Sequence, residues 1–289
     1  MSRGRSWSIG PQALEGTNLD SRTGKRIRMG RLVNQLSGRT IIVAYSHGLI
    51  LGPQPGLRTV DEMRATADHC RLADGLMVSP GMVQPLEHAF VGRTRPSLVV
   101  HLDWTNFSRG VLPYEQGSQV AVASIEEVAA AGADAVMTYL LLGDDDPRRE
   151  ADEIDRNARV ARACERLGLV HMIEPRHSLE RRNPERKLEP AIMQLSCRMA
   201  AEIGADLVKC VWWGSTESMH SIVESCPVPV LVAGGARDER EPDRGMAIAR
   251  DAIAAGCGGI VFGRTIYQSA DPAATLDELR RIVHARIDR

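Results

Sequence analysis

Neither sign of charge prevails in this chain: 36 basic residues face 37 acidic ones, the formal net charge is −1, and the two kinds are mixed along its length. Such a surface sets up no field that would gather nucleic acid or an anionic membrane, which leaves a neutral or small anionic substrate as the expected partner. Long apolar runs are missing too. No stretch approaches the roughly 18 consecutive apolar residues of a membrane span, and Met1 to Pro11 has no apolar signal core, so a cytoplasmic location is expected. Cysteine pairs are absent as well. Cys70, Cys164, Cys197, Cys210, Cys226 and Cys257 form no C-x-x-C motif and have no histidine at metal-ligand spacing. They read as reduced, mostly buried thiols, with no metal site and no cofactor expected.

What the sequence has is alternation. Short apolar runs at Thr40 to Tyr45, Asp74 to Val78, Ser97 to Leu102, Asp134 to Leu140, Leu169 to Ile173, Asp206 to Val211, Val228 to Ala233 and Gly259 to Phe262 are separated by longer amphipathic stretches. Near-continuous apolar runs are the mark of strands buried on both faces, and helical crossovers between them imply a parallel sheet. Eight such units over residues 39–289 predict a single (β/α)₈ TIM barrel, with reactive groups at the C-terminal strand ends. Residues 1–38, with Gly4, Gly10, Gly16, Gly24, Gly30 and Gly38, lack sustained periodicity and read as an irregular N-terminal extension that covers the barrel floor or a neighbouring subunit.

The helices carry punctuation. Thr59-Val60-Asp61-Glu62 and Ser124-Ile125-Glu126-Glu127 both fit a capping box, and Asp144-Asp145-Asp146 before Pro147 reads as a solvated helix start. Gly132, Gly168, Gly204 and Gly256 each follow a helical pattern and precede an apolar run, as left-handed helix caps do. The first three recur every 36 residues, the length of one strand-helix unit, and Ala131-Gly132-Ala133-Asp134 is nearly repeated as Ile203-Gly204-Ala205-Asp206.

Lys209 lies in the apolar run Ala205-Asp206-Leu207-Val208-Lys209-Cys210-Val211. Burial disfavours the charged form of an amine and so can make a nucleophile of it at neutral pH. The same pattern also fits a lysine paired with a carboxylate, or one emerging at a strand end. Two glycine-bearing strand ends follow, Val232-Ala233-Gly234-Gly235-Ala236-Arg237 and Val261-Phe262-Gly263-Arg264. Loops after the seventh and eighth strands are the usual phosphate site of a barrel, so Gly234, Gly235, Gly263 and Arg264 are candidates to hold one, although turns need glycine in any case.

The ordered set Ala44-Tyr45-Ser46-His47-Gly48, Glu174-Pro175-Arg176, Gly204 to Lys209, Cys226-Pro227-Val228-Pro229-Val230 through Gly234-Gly235, and Gly263-Arg264 with Ile266-Tyr267-Gln268 resembles the archaeal-type class I fructose-bisphosphate aldolases. That group is related to deoxyribose-phosphate aldolase and includes the thiolase of autoinducer-2 catabolism. The resemblance runs from about residue 30 to the end. It implies that Lys209 forms an imine, that Gly234, Gly235, Gly263 and Arg264 hold a substrate phosphate, and that the chain is a homo-oligomer. Two departures stand out. Ser46-His47-Gly48 replaces an Asp-His-Gly, and Glu174-Pro175-Arg176-His177 replaces a Tyr-Pro-Arg-Gly, so the lysine is kept while its proton handlers are exchanged.

Period-2 alternation that turns Lys209 inward also turns Leu207 and Ala205 inward and Asp206 and Val208 toward the helices, and it places His171 outside and Glu174 beside Lys209. Glu174 is expected to act as general acid/base, or else to ion-pair with the lysine. Ser46 joins the candidate catalytic set. His101 and Asp103, sharing one face at the end of the third strand, are candidates to bind substrate hydroxyls or shuttle protons. His47 reads as structural because it points away from Ser46, and Trp212 and Trp213 wall the pocket or simply pack. The leading reading is a class I aldolase acting on a small phosphorylated ketose or hydroxy-ketone. The alternatives are thiolase-like acyl transfer to coenzyme A and a non-catalytic barrel that binds a sugar phosphate. A buried unpaired ammonium argues against the last, and the scattered histidines argue against a metal-dependent aldolase.

Overall fold

The computed structural model describes residues 20–107, 111, 118–178, 190–238 and 240–285. All eight expected strands form: β1 (Thr40–Ala44), β2 (Gly75–Val78), β3 (Ser97–His101), β6 (Ala135–Leu142), β7 (Val170–His177), β8 (Leu207–Val211), β9 (Val230–Ala233) and β10 (Gly259–Phe262). They close in the order β1-β10-β9-β8-β7-β6-β3-β2, every neighbour parallel, as a (β/α)₈ barrel. Between β3 and β6 the chain inserts an antiparallel ribbon, β4 (Asp103–Thr105) and β5 (Gln119–Ala121).

Alternation along the strands sorts the core into two layers. Ile42, Met77, Val99, Met137, Met172, Leu207, Leu231 and Val261, one from each barrel strand, fill the interior. Ile41, Val43, Val136, Ile173, Val208 and Val230 face the helices. Ala205 departs from the expected parity: it precedes β8 and lies in the helix-facing layer, because alternation holds only where the backbone is already extended. Two strands also outrun their apolar runs. β6 and β7 pair residue for residue from Ala135↔Val170 to Leu142↔His177, which carries Glu174 and Arg176 onto the strand itself.

Helix boundaries follow the local chemistry. Ser124 and Glu127 make a full capping box, and Asp146 caps the helix Pro147–Leu167. Thr59 accepts from Glu62 N, while the Glu62 carboxylate reaches back to Gly56 N and Arg58 N. Gly132, Gly168, Gly204 and Gly256 all have positive φ, and Gly204 lies so close to Arg162 and Ala161 that a Cβ there would clash.

The lead-in contains a helix, Ser21–Leu32, where the sequence shows no sustained periodicity. Its last residue, Leu32, is fully buried in the interior cluster and accepts a hydrogen bond from Thr40 Oγ1 at 2.6 Å, so the helix closes the barrel floor. Lys25 on this helix pairs with Glu165 and Asp206. Asp206 in turn accepts from His171 N, and Asp74 accepts from Ile41 N, so these two aspartates tie the strands they precede to their neighbours. Among the described residues no helix is long and apolar enough to cross a membrane.

Candidate active site

Register puts Lys209 directly across from Glu174. β7 and β8 pair as Met172↔Leu207 and Ile173↔Val208, and the next inward residues on the two strands are Glu174 and Lys209. Lys209 Nζ donates to Glu174 Oε2 at 2.5 Å, and both side chains are almost wholly buried. The sequence left open whether this lysine is buried or paired; it is both. The expectation of an unpaired ammonium is therefore corrected, and it no longer bears on whether the barrel is silent. Arg176, two residues on along β7, brings Nη1 to 3.7 Å from the other oxygen of Glu174.

These groups line a cavity of about 210 Å³ at the C-terminal ends of the strands, together with His47, Tyr139, Gly234, Gly235, Gly263, Arg264 and an apolar wall that includes Ile50, Leu51 and Val211. The four residues expected to hold a phosphate thus lie on one side of the same cavity as Lys209. A Cβ at Gly263 would stand 2.5 Å from Ala44 O, and one at Gly234 would stand 2.8 Å from the Phe262 ring, so packing alone already demands glycine at both. Arg264 adds a pointer to a ligand, since its Nε is buried with no hydrogen-bond partner among the described residues. A buried guanidinium donor without an acceptor is costly unless an anion visits.

His47 is placed otherwise than alternation suggests, for it lines the cavity beside Arg264 and Lys209. Burial first, and the charges of Arg264 and Lys209 second, push it down to about 3, so it is neutral. Alternation misplaces it because β1 ends at Ala44.

Ser46, His101 and Asp103 are placed otherwise than the sequence suggests; none of them lines the cavity. Ser46 Oγ and His101 Nδ1 are hydrogen-bonded at 2.9 Å, and the His101 ring meets the Tyr139 ring edge-on at 5.0 Å between centroids. Burial, then the charge of Lys209, holds His101 well below its usual value. Asp103 is fully buried, with Oδ1 at 2.8 Å from Arg156 Nη1 and Oδ2 accepting from Tyr139 N at 2.7 Å. Its burial raises it to about 6, against the opposing pull of Arg156 and the Tyr139 amide. Asp146 serves as a helix cap, and Trp212 and Trp213 pack against the helix-facing layer.

The sequence does not single out Tyr139, Arg176 or His47 as site residues. For Tyr139 the signal is nonetheless present, since it follows Met137 by two residues on an inward-facing strand. Among the described residues no three His, Cys, Asp or Glu side chains come together to hold a metal.

Comparison with known proteins shows the family of the chain. Residues 41–269 match the model of the DeoC/LacD family aldolase. An uncharacterized aldolase of Saccharolobus solfataricus is 29% identical over 266 residues, covering 92% of this chain and 96% of its own. The 2-amino-4,5-dihydroxy-6-oxo-7-(phosphonooxy)heptanoate synthase of Streptomyces griseus is 32% identical over 263 residues, 90% of each chain. An archaeal fructose-1,6-bisphosphate aldolase, solved with its catalytic lysine covalently bound to a carbinolamine intermediate, superposes with a TM-score of 0.74 at 23% identity over 90% of this chain and all of its own. With a family match that spans the barrel from β1 to beyond β10, the chain belongs to the DeoC/LacD family of aldolases.

Proposed function

We propose that this aldolase forms an imine between Lys209 and the carbonyl carbon of a small phosphorylated ketose or hydroxy-ketone, and makes or breaks a carbon–carbon bond through it. The observation that carries the reading is the 2.5 Å contact between Lys209 Nζ and Glu174 Oε2 in a cavity that is also lined by Gly234, Gly235, Gly263 and Arg264. Glu174 takes a proton from the Lys209 ammonium, which frees the nitrogen lone pair for attack, and returns it to the carbinolamine hydroxyl so that water can leave. Gly234, Gly235, Gly263 and Arg264 hold the phosphate, with backbone donors and a guanidinium meeting its oxygens. The name of the Streptomyces griseus relative supports that substrate class, since it sets a phosphonooxy group on the carbon next to a ketone.

Borohydride reduction in the presence of dihydroxyacetone phosphate tests the reading. The expected product is the peptide containing Lys209 carrying the mass of the reduced ketone, and no adduct in Lys209→Ala. Labelling at another lysine refutes it. Formation of an acyl-coenzyme A without release of an aldehyde would instead identify the acyl-transfer chemistry.

A further inference from the structure

Around the barrel rim the phosphate cradle of Gly234, Gly235, Gly263 and Arg264 follows the ends of β9 and β10, Lys209 is on β8, Glu174 on β7 and Tyr139 on β6. A ketone with its phosphate on the cradle and its carbonyl carbon at Lys209 therefore sends the rest of its chain toward β7 and β6. In aldol chemistry a second oxygen on that side gains or loses a proton as the carbon–carbon bond forms or breaks. Glu174 is engaged at the Lys209 nitrogen, and one group does not serve two separated atoms at once.

Tyr139 is built into that place. It is the register partner of Glu174, lines the cavity, and has the Arg176 guanidinium 5.9 Å from its ring centroid. Its backbone is fixed by side chains, because β3 pairs with β6 only as far as His101↔Met137. Tyr139 N donates to Asp103 Oδ2 at 2.7 Å, and Tyr139 O accepts from Asn157 Nδ2 at 3.0 Å and Arg156 Nη2 at 2.6 Å. Burying the Asp103–Arg156 ion pair is costly in desolvation, and a supporting shell of this kind is what holds a reacting group in place.

We infer that Tyr139 is a second catalytic residue, whose phenol handles the proton on the acceptor oxygen, and that Asp103 is a positioning residue for it; this rests on the imine reading above. In the condensing direction the enamine on Lys209 gives its electron pair to the aldehyde carbon. The carbonyl π pair moves to oxygen, and the Tyr139 O–H supplies the proton, leaving a phenolate beside Arg176. The proton lost from the donor carbon as the enamine forms passes to solvent, and one returns from solvent to the phenolate, so the cycle balances. Cleavage is the reverse.

The test separates the steps before the acceptor from the bond-forming step. Borohydride trapping of dihydroxyacetone phosphate, and deuterium exchange into it, report the former. Condensation with glyceraldehyde 3-phosphate or succinic semialdehyde reports the latter. Tyr139→Phe keeps the ring and these backbone contacts; it is expected to trap and exchange like the wild type and to condense about 100-fold more slowly. Asp103→Ala is expected to lower kcat with KM for the donor unchanged, and Asp103→Asn to restore it. Undiminished condensation in Tyr139→Phe overturns the proposal, as does loss of trapping together with condensation. So does a wild type that traps and exchanges the donor but condenses it with neither aldehyde. A wild type that traps nothing overturns the imine reading itself, and this inference with it.

Discussion

Glu174 stands across from Lys209 on the neighbouring parallel strand, its Oε2 2.5 Å from the lysine Nζ, and both side chains are almost wholly buried where they line the cavity at the C-terminal strand ends. Glu174→Gln keeps size and hydrogen bonding while removing the exchangeable acid, and it should lower turnover on the order of 100-fold or more with substrate binding largely kept. Steady-state kinetics that show wild-type kcat in this variant would clear Glu174 of the acid/base role.

Arg264→Met should act on the phosphate and little else. The buried Nε has no partner among the described residues, so its loss strands no internal acceptor. A hydrogen bond to a charged group contributes about 1.5–3 kcal/mol, so a phosphorylated ligand should bind roughly 10- to 100-fold more weakly. Its unphosphorylated analogue should be unaffected. Calorimetric titration of the two ligands decides the matter, and equal weakening of both contradicts the cradle.

Arg156→Met should unfold the protein more readily, because it leaves the fully buried Asp103 carboxylate without its counter-charge. Removing one partner of such a pair typically costs about 3–5 kcal/mol. Asp103→Asn, which keeps an acceptor for Tyr139 N, should cost less. A thermal melt in which the two variants rank the other way would show that the ion pair is not what holds this corner.

Stability should fall in mild acid. Burial, then nearby positive charges, hold His47 and His171 at about 3 and His101 well below the usual 6.5. An unfolded chain takes up protons near 6.5 that these folded histidines refuse. Their contribution is therefore complete above about pH 6.5 and drains away as the pH falls toward 3, by about 1.4 kcal/mol per pH unit for each histidine. Asp103, raised to about 6, has the opposite sign: it adds stability below its unfolded 3.8 and loses it as the pH rises through 6. Three groups outweigh one. The urea midpoint should drop between pH 7 and 4.5, and a flat profile over that range would contradict the buried neutral histidines.

The sequence by itself determined the barrel, because each element is written locally. Apolar runs specify strands buried on both faces, capping residues such as Ser124 and Asp146 start helices, and Gly132, Gly168, Gly204 and Gly256 end them. Parity and strand order also put Glu174 and Lys209 on adjacent strands with the same inward face, and the register of β7 against β8 set them at one level. Tertiary structure alone decided the rest. The helix at Ser21–Leu32 shows no sustained pattern in the sequence and is held by Leu32 plugging the floor and by Lys25 pairing with Asp206, contacts made far along the chain. Ser46, His101 and Asp103 have the residue types of a proton-handling set, yet they lie beside the cavity, with Ser46 bonded to His101 Nδ1 and Asp103 to Arg156 and the Tyr139 amide. Whether a polar group at a strand end faces substrate or supports a neighbour depends on which strand stops first, and β3 stops two residues short of the level of Tyr139. No local pattern records that difference, because it is a property of two strands and not of either one.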